Sequence, residues 1–271
     1  DDRLAFILDH SHADLVFVRS EYSERLPEIR SRMRKDIASV IVGNEAAATD
    51  GAPTWNEMLN TPHSSSESPV WDAFDQECLL VYTSGTTGNP KGVVLTHGNL
   101  LADAKGIAMW HSIDADTTMM CVLPIHHVNG TIVTLVTPMF AGASVVLNRK
   151  FQSGAFFARV ASERVSIVSV VPTLLAFLLQ ADVDTTHLQL GAFRHIICGA
   201  GPLTCELAER FLERYKVRIV HGYGLSETTC YSCFLPIDLP DDEYVAWMTE
   251  HGFPSIGVAI PQNEMDIQTP E

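Results

Sequence analysis

The chain has 271 residues, with 18 lysines and arginines against 33 aspartates and glutamates, a formal net charge of −15. Hydrophobic residues make up 46% and charged residues 19%, a globular balance that excludes intrinsic disorder and supplies core for one large domain or two small ones. The acidity excludes general nucleic-acid binding and attraction to anionic membranes, which need basic faces, and an anionic substrate must find positive charge locally.

The sequence starts at Asp1 without Met, and no basic segment followed by an apolar stretch marks a signal peptide. The cytoplasm is therefore expected, and the two ends read as those of a fragment of a longer protein. LAFILDHS (4–11) then DLVFV (14–18) read as helix then strand, and SERLPEIRSRM (23–33) then IASVIV (37–42) repeat that order. Residues 43–76, rich in Ser, Pro, Asn and acids, read as a long surface loop with one short helical piece near Trp55. CLLVYTS (78–84) and GVVLTH (92–97) are strands. Residues 99–111 form an amphipathic helix with Leu100, Ala104, Ile107 and Ala108 on one face.

From Thr117 to Asn148 there is no Asp, Glu, Lys or Arg. Pro124, Gly130, Pro138 and Gly142 divide this run into strand, helix and strand lengths, so it reads as buried core and no transmembrane segment is expected. SVVL (144–147) is the strand that closes it, and a helix follows over 154–163. VSIVSVV (165–171) is a β-branched strand, and PTLLAFLLQ (172–180) is a helix opened by proline. FRHIIC (193–198) is a strand. Leu203, Leu207, Ala208, Phe211, Leu212 and Tyr215 make a helical stripe, VRIVH (217–221) is the next strand, and MDIQTPE (265–271) ends the chain as a strand and turn. The alternation predicts an α/β fold of largely parallel sheet flanked by helices, with right-handed crossovers.

The six cysteines lie mostly in apolar runs, where a free thiol is a small hydrophobe. Cys230 and Cys233 form a lone C-x-x-C without the second pair of a zinc ribbon, and His126 and His127 near Cys121 lack a third ligand at metal spacing.

The strongest chemical signal is residues 82–92, Y-T-S-G-T-T-G-N-P-K-G, where a strand feeds a loop of glycines and hydroxyls that ends in a lysine. Glycines turn sharply and expose N–H groups, hydroxyls donate hydrogen bonds, and Lys91 supplies a point charge, all of which a polyphosphate requires. The Walker pattern fails, because Pro90 stands where that loop needs its second glycine.

These residues resemble the adenylate-forming superfamily of acyl- and aryl-CoA synthetases, peptide-synthetase adenylation domains and firefly-type luciferases. Its signature, [YF]-T-S-G-[ST]-T-G-x-P-K-G, is matched throughout, and three further motifs follow in family order. The resemblance implies that Thr83, Ser84, Gly85, Thr86, Thr87 and Gly88 bind the ATP phosphates with Lys91. Residues 124–130, P-I-H-H-V-N-G, are similar to the family's P-L-F-H-x-x-G and place His127 beside the acyl pocket. That motif lacks the aspartate which in peptide synthetases meets a substrate ammonium, so a plain carboxylic acid is expected. Residues 198–203, C-G-A-G-P-L, resemble the turn whose backbone lies on adenine and give Gly199, Ala200 and Gly201. Residues 221–229, H-G-Y-G-L-S-E-T-T, resemble G-Y-G-x-[ST]-E-T. Here Gly222 and Tyr223 face adenine, Gly224 the acyl group, Glu227 a Mg²⁺ ion and Thr228 the α-phosphate.

The implied reaction joins a carboxylate to ATP, releasing pyrophosphate and leaving an acyl-adenylate; a thiol of coenzyme A, or the phosphopantetheine arm of an acyl carrier protein, then takes the acyl group. PSIGVAIP (254–261) resembles the segment just before the family's ribose-binding T-G-D motif. No such motif follows and Arg218 is the last basic residue, so the chain reads as an incomplete AMP-binding N-terminal domain, without the C-terminal lid domain and its lysine. By itself it is expected to bind nucleotide weakly and not to turn over. Two alternatives stay open: a non-catalytic nucleotide- or acyl-binding module, and an acyl-AMP ligase with another acceptor.

Overall fold

The computed structural model describes residues 1–43, 52–62, 74–84 and 88–268. By internal packing the chain divides into two compact units, one of Asp1–Ala73 with Tyr82–Val93, the other of Phe74–Val81 with Val94–Glu271.

In the first unit, helix α1 (Asp2–His10) leads into strand β1 (Leu15–Arg19), and helix α2 (Leu26–Ser31) into β2 (Ala38–Val42). β1 and β2 pair in parallel with Leu15 opposite Ala38. Leu26, Ile29, Val40 and Ile41 are buried where α2 and β2 turn inward. The short helix expected near Trp55 is α3 (Trp55–Asn60), opened by a reciprocal Thr54–Glu57 capping box. Other parts of the expected 43–76 loop, namely 44–51 and 63–73, lie outside the described residues. Strands β3 (Glu77–Thr83) and β4 (Lys91–Thr96) pair with each other, and each passes from one unit to the other along its length.

In the second unit, β-branched and sulfur-bearing runs build the sheet. Its strands are β5 (Thr118–Cys121), β6 (Ser144–Leu147), β7 (Ile167–Val170), β8 (His195–Cys198), β9 (Arg218–Tyr223), β10 (Cys233–Phe234) and β11 (Val258–Ala259). Among the described residues they lie in the order β11-β10-β9-β8-β7-β5-β6. The pairs β6–β5, β5–β7, β7–β8 and β8–β9 are parallel; β10 and β11 are antiparallel additions at the edge. All four side chains of β7 and of β8 are buried, as an interior parallel strand requires.

Helices α4 (His97–Trp110), α5 (Thr137–Ala141), α6 (Phe156–Ser162), α7 (Pro172–Ala181), α8 (Cys205–Tyr215) and α9 (Asp241–Thr249) flank this sheet. Ile107, Phe157, Leu175, Leu178 and Phe211 are wholly or almost wholly buried in one core with the strands. α4 starts two residues earlier than the pattern predicts, because Thr96 and Asn99 cap it reciprocally. The uncharged run from Thr117 to Asn148 is strand, a π-helical segment (Asn129–Val136) continued by α5, then strand. No helix among the described residues is long and apolar enough to cross a membrane.

One expectation fails. Residues 261–268 form no strand, and Ile267 is 97% exposed. Their alternating pattern has no partner strand among the described residues to satisfy its backbone.

Candidate functional site

Strand order fixes where a ligand meets the second unit. The chain runs from β5 to β6 on one side, then returns across to β7 on the other, so the sheet reverses its direction of growth at β5. A crevice opens outside the carboxyl ends of parallel strands at such a reversal. Three predicted motifs follow carboxyl ends there: residues 124–130 after β5, the 199–201 turn after β8, and residues 222–228 at the end of β9 and beyond it.

The β9 motif is shaped by close backbone approach. Tyr223 is 44% exposed and offers its ring outward, while its carbonyl accepts the Ser232 N–H at 2.8 Å. Beyond it the chain makes a 3-10 turn (Ser226–Thr228), closed when the Leu225 N–H donates to Thr228 Oγ1 at 2.9 Å and that hydroxyl donates to the Leu225 carbonyl at 3.1 Å. Thr228 thus holds its own turn. Thr229 follows with φ 71° and ψ −57°, and the Cys230 N–H donates to the Thr228 carbonyl at 2.9 Å. This is the strained mirror-image form of the γ-turn, rare for a β-branched residue. It folds the Cys230 carbonyl beneath Gly224, where any Cβ would collide with the oxygen. Glycine at 224 is therefore required by space.

The β8 turn has similar constraints. A Cβ on Gly199 would lie 2.5 Å from the Tyr231 hydroxyl and 2.7 Å from the Gly222 carbonyl, and Ala200 adopts φ 58°. Gly222 pairs with Phe234 across β9 and β10, and the Phe234 ring fills the space where a side chain would stand. His221, just before, is buried; its Nδ1 donates to the Ser255 carbonyl at 2.9 Å. A carbonyl only accepts, so the proton sits on Nδ1, and burial lowers the pKa.

On the β5 side, His127 is exposed, its ring 4.4 Å from that of His126. Partial burial, then its neighbour His126, lowers the His127 pKa and favours the neutral imidazole. Asn129 beyond it is buried.

Glu227 is exposed and, with Tyr223 and Thr228, lines a cavity of about 580 Å³ that reaches neither His127 nor the 199–201 turn. Asp103, Glu264 and Asp266 also line it, without any Lys, Arg or His. These oxygens suit a hard cation. Yet among the described residues no three His, Cys, Asp or Glu side chains are grouped to hold a metal. A Mg²⁺ ion at Glu227 fits one that arrives on a polyphosphate and keeps most ligands from it. Among the described residues neither His126–His127 nor Cys230–Cys233 is grouped with a third His, Cys, Asp or Glu; all six cysteines are free, and burial pushes the Cys230 and Cys233 thiols up.

In the first unit, Thr83 ends β3, Ser84 is exposed, and the exposed Lys91 opens β4. Gly88 takes φ +120° with open space around it. Gly85, Thr86 and Thr87 lie outside the described residues. The Tyr82 hydroxyl, at the head of this motif, is 2.8 Å from His10 Nδ1.

Sequence reasoning missed Asp103, Ser169, His221 and Tyr231. Only the placement of His221 directly before the glycines of its motif could have drawn attention to it.

Comparison with known proteins gives a consistent picture. The model of the family described as AMP-binding enzyme matches residues 1–271. A sulfoacetate–CoA ligase of Cupriavidus necator is 29% identical over 238 residues, covering 87% of this chain and 44% of that protein. A feruloyl-CoA synthase of an Amycolatopsis species is 31% identical over 224 residues, covering 79% and 45%. The crystal structure of the anthranilate CoA ligase AuaEII in complex with anthranoyl-AMP superposes with a TM-score of 0.80 at 19% identity, covering 96% of this chain and 48% of that one. The chain spans about half the length of these relatives.

Proposed function

The chain belongs to the AMP-binding enzyme family, and from that footing we propose that it serves the ATP-dependent activation of a small carboxylic acid, followed by transfer to the thiol of coenzyme A or of a carrier protein's phosphopantetheine arm. The activity is proposed for a protein of the relatives' full length, residues 1–271 supplying the nucleotide-binding part and a further lid domain with its lysine completing the site. The cytoplasm is the proposed setting, favoured by six unpaired cysteines.

The observation that carries this reading is the placement of three motifs just after the carboxyl ends of β5, β8 and β9 of one sheet. Adenine is assigned to Tyr223 and Gly222 with the backbone of Gly199, Ala200 and Gly201. The acid is assigned to His127 and Gly224. The strand–loop–strand of the first unit provides Thr83, Ser84, Gly85, Thr86, Thr87, Gly88 and Lys91 for the phosphates.

The reaction brings a carboxylate oxygen to the α-phosphorus of ATP, and the bond to pyrophosphate breaks. Both partners are anions, so the difficulty is charge. Lys91 and the loop donors oppose the charge that builds on the departing pyrophosphate. Glu227 would hold Mg²⁺, which when bound screens the phosphate oxygens. His127, whose pKa is lowered by partial burial and by His126, offers the carboxylate an imidazole hydrogen-bond partner. Thr228, whose hydroxyl closes its own turn, is the residue assigned to the α-phosphate.

The test is acid-dependent exchange of labelled pyrophosphate into ATP by the full-length protein that contains residues 1–271, across a panel of carboxylic acids. Exchange that needs both an acid and Mg²⁺, and that falls in Glu227→Gln with a raised Mg²⁺ requirement, is the expected result. Absence of exchange with every acid overturns the reading.

A further inference from the structure

The loop 124–130 that carries His127 is closed on itself. The Pro124 carbonyl accepts the His127 N–H at 3.2 Å, and the His127 carbonyl accepts the Thr131 N–H at 3.0 Å. A Cβ on Gly130 would collide with that same Pro124 carbonyl, and Thr131 Oγ1 donates to the carbonyl of Ile125. A loop tied this way moves as one piece, so its attachment to the core decides where His127 stands. Pro124, Ile125, His126 and His127 are exposed and Val128 is half-buried; among these described residues only Asn129 and Gly130 are buried. Asn129 therefore supplies the loop's buried side chain. Both ends of its amide are engaged: Oδ1 accepts from Ser169 Oγ at 2.6 Å, and Nδ2 donates to the Tyr231 hydroxyl at 3.2 Å. Ser169 lies on the interior strand β7 and Tyr231 on the return segment after Thr229, and they are 0% and 2% exposed. The Tyr231 ring packs with its centroid 4.4 Å from that of Phe234. The core thus fixes both partners of the amide independently of the loop.

We propose that Asn129, held between Ser169 and Tyr231, is a positioning residue that sets the place of His127 for the incoming acid. The inference rests on the acid-activating reading above and on His127 as the acid's residue. Asn129 touches no substrate in this account. It fixes the closed loop on two immobile hydroxyls, one from an interior strand and one from the segment that returns from the Glu227 turn, and so holds His127 in register with both. Groups that meet a substrate need such support, because a displacement of about 1 Å costs up to about a hundredfold in rate. Without the amide the two hydroxyls keep their places, and the loop loses its register on them.

The experiment uses the full-length protein that contains residues 1–271, as wild type, Asn129→Leu and Ser169→Ala. Asn129→Leu keeps a side chain of similar size and removes both hydrogen bonds; Ser169→Ala removes one of them. Acid-dependent pyrophosphate exchange gives the KM for the acid and the KM for ATP. The His127 imidazole is titrated by NMR on histidine-labelled protein, its signal assigned by its loss in His127→Gln. Asn129→Leu should raise the KM for the acid about tenfold and leave that for ATP within about twofold. Its His127 pKa should rise toward the ordinary value of about 6.5, as the loop gives up the partial burial that lowers it. Ser169→Ala should move both readouts the same way by a smaller amount, about threefold in the acid's KM, and it decides the matter if Asn129→Leu does not fold. A KM for ATP that rises as much as that for the acid marks general structural damage and overturns the proposal. An unchanged His127 titration in the folded variant overturns it as well, whatever the activity. No exchange by the wild type with any acid overturns the activation reading, and with it the acid-binding purpose given to the loop.

Discussion

Asp103 sits on α4 at 6% exposure, with Oδ2 lacking any hydrogen-bond partner among the described residues. Burial raises its pKa to about 7, against the pull of the Tyr231 N–H. The unfolded carboxyl loses its proton near pH 4 and the folded one near 7, so in that window the folded chain binds more protons and stability falls as pH rises. Asp103→Asn should therefore be more stable than the wild type at pH 8, by about 2–4 kcal/mol, with the gain shrinking toward pH 5. Urea unfolding at the two pH values checks this. The buried pair His111 and His195, Nδ1 to Nε2 at 2.9 Å, works in the opposite sense. Burial, then Arg194, lowers the His195 pKa to about 4, and burial drives that of His111 well down. Unfolded imidazoles take up protons near 6.5, so stability is lost as pH falls from about 6.5 toward 4. In His195→Gln that acid-side loss should be reduced, leaving the decline with rising pH more visible in the same titration. Asp103 was not legible in the sequence. A charge on an amphipathic helix reads as outward, but α4 is covered on more than one side: it packs on α5 and the π-helical segment, and Gly106 abuts Ile260 and Gln262.

Among the local elements, the turn after β9 is the most constrained. Gly224→Ala should destabilise by about 3 kcal/mol or more, because the collision is with backbone that cannot rotate away. Chemical denaturation of the variant measures it, and a cost below about 1 kcal/mol would show that the γ-turn at Thr229 relaxes easily. Thr96→Ala removes half of the α4 capping box and should cost about 1 kcal/mol by the same assay. Much at this scale was readable in advance. The apolar runs became β5 to β9, Pro172 opens α7, and Gly199, Gly222 and Gly224 sit where close approach demands them. What escaped was defined by partners. β10 and β11 are two residues each and exist only through pairing with β9 and with each other. The Tyr231–Asn129–Ser169 cluster joins residues 40 and 102 apart in sequence, so no local spacing reveals it.

At the scale of the whole chain, the net charge of −15 is a standing repulsion. Ion pairs such as Arg25–Asp1 and Lys35–Asp14 are exposed and offset little of it. Adding sodium chloride from low to physiological ionic strength should therefore raise Tm, since screening weakens the repulsion more than it weakens scattered surface pairs. A Tm that falls over this range in a thermal melt would count against self-repulsion as the dominant electrostatic effect. The fold class was legible from alternation alone, whereas the division into two units was not. That division runs through β3 and β4, each of which reads in the sequence as one uninterrupted strand.

The order β11-β10-β9-β8-β7-β5-β6 also dictates a history for the growing chain. β5 emerges from synthesis first and finds β6 through the short intervening helical segment. Every later strand then docks on the opposite side: β7 on the free edge of β5, then β8 on β7 and β9 on β8, each against the strand made just before it. A nascent chain halted after β5, β7 or β8 ends on a bare parallel edge made of buried-type side chains, an open invitation to aggregation. The antiparallel pair β10 and β11 comes last and covers that edge with two short strands.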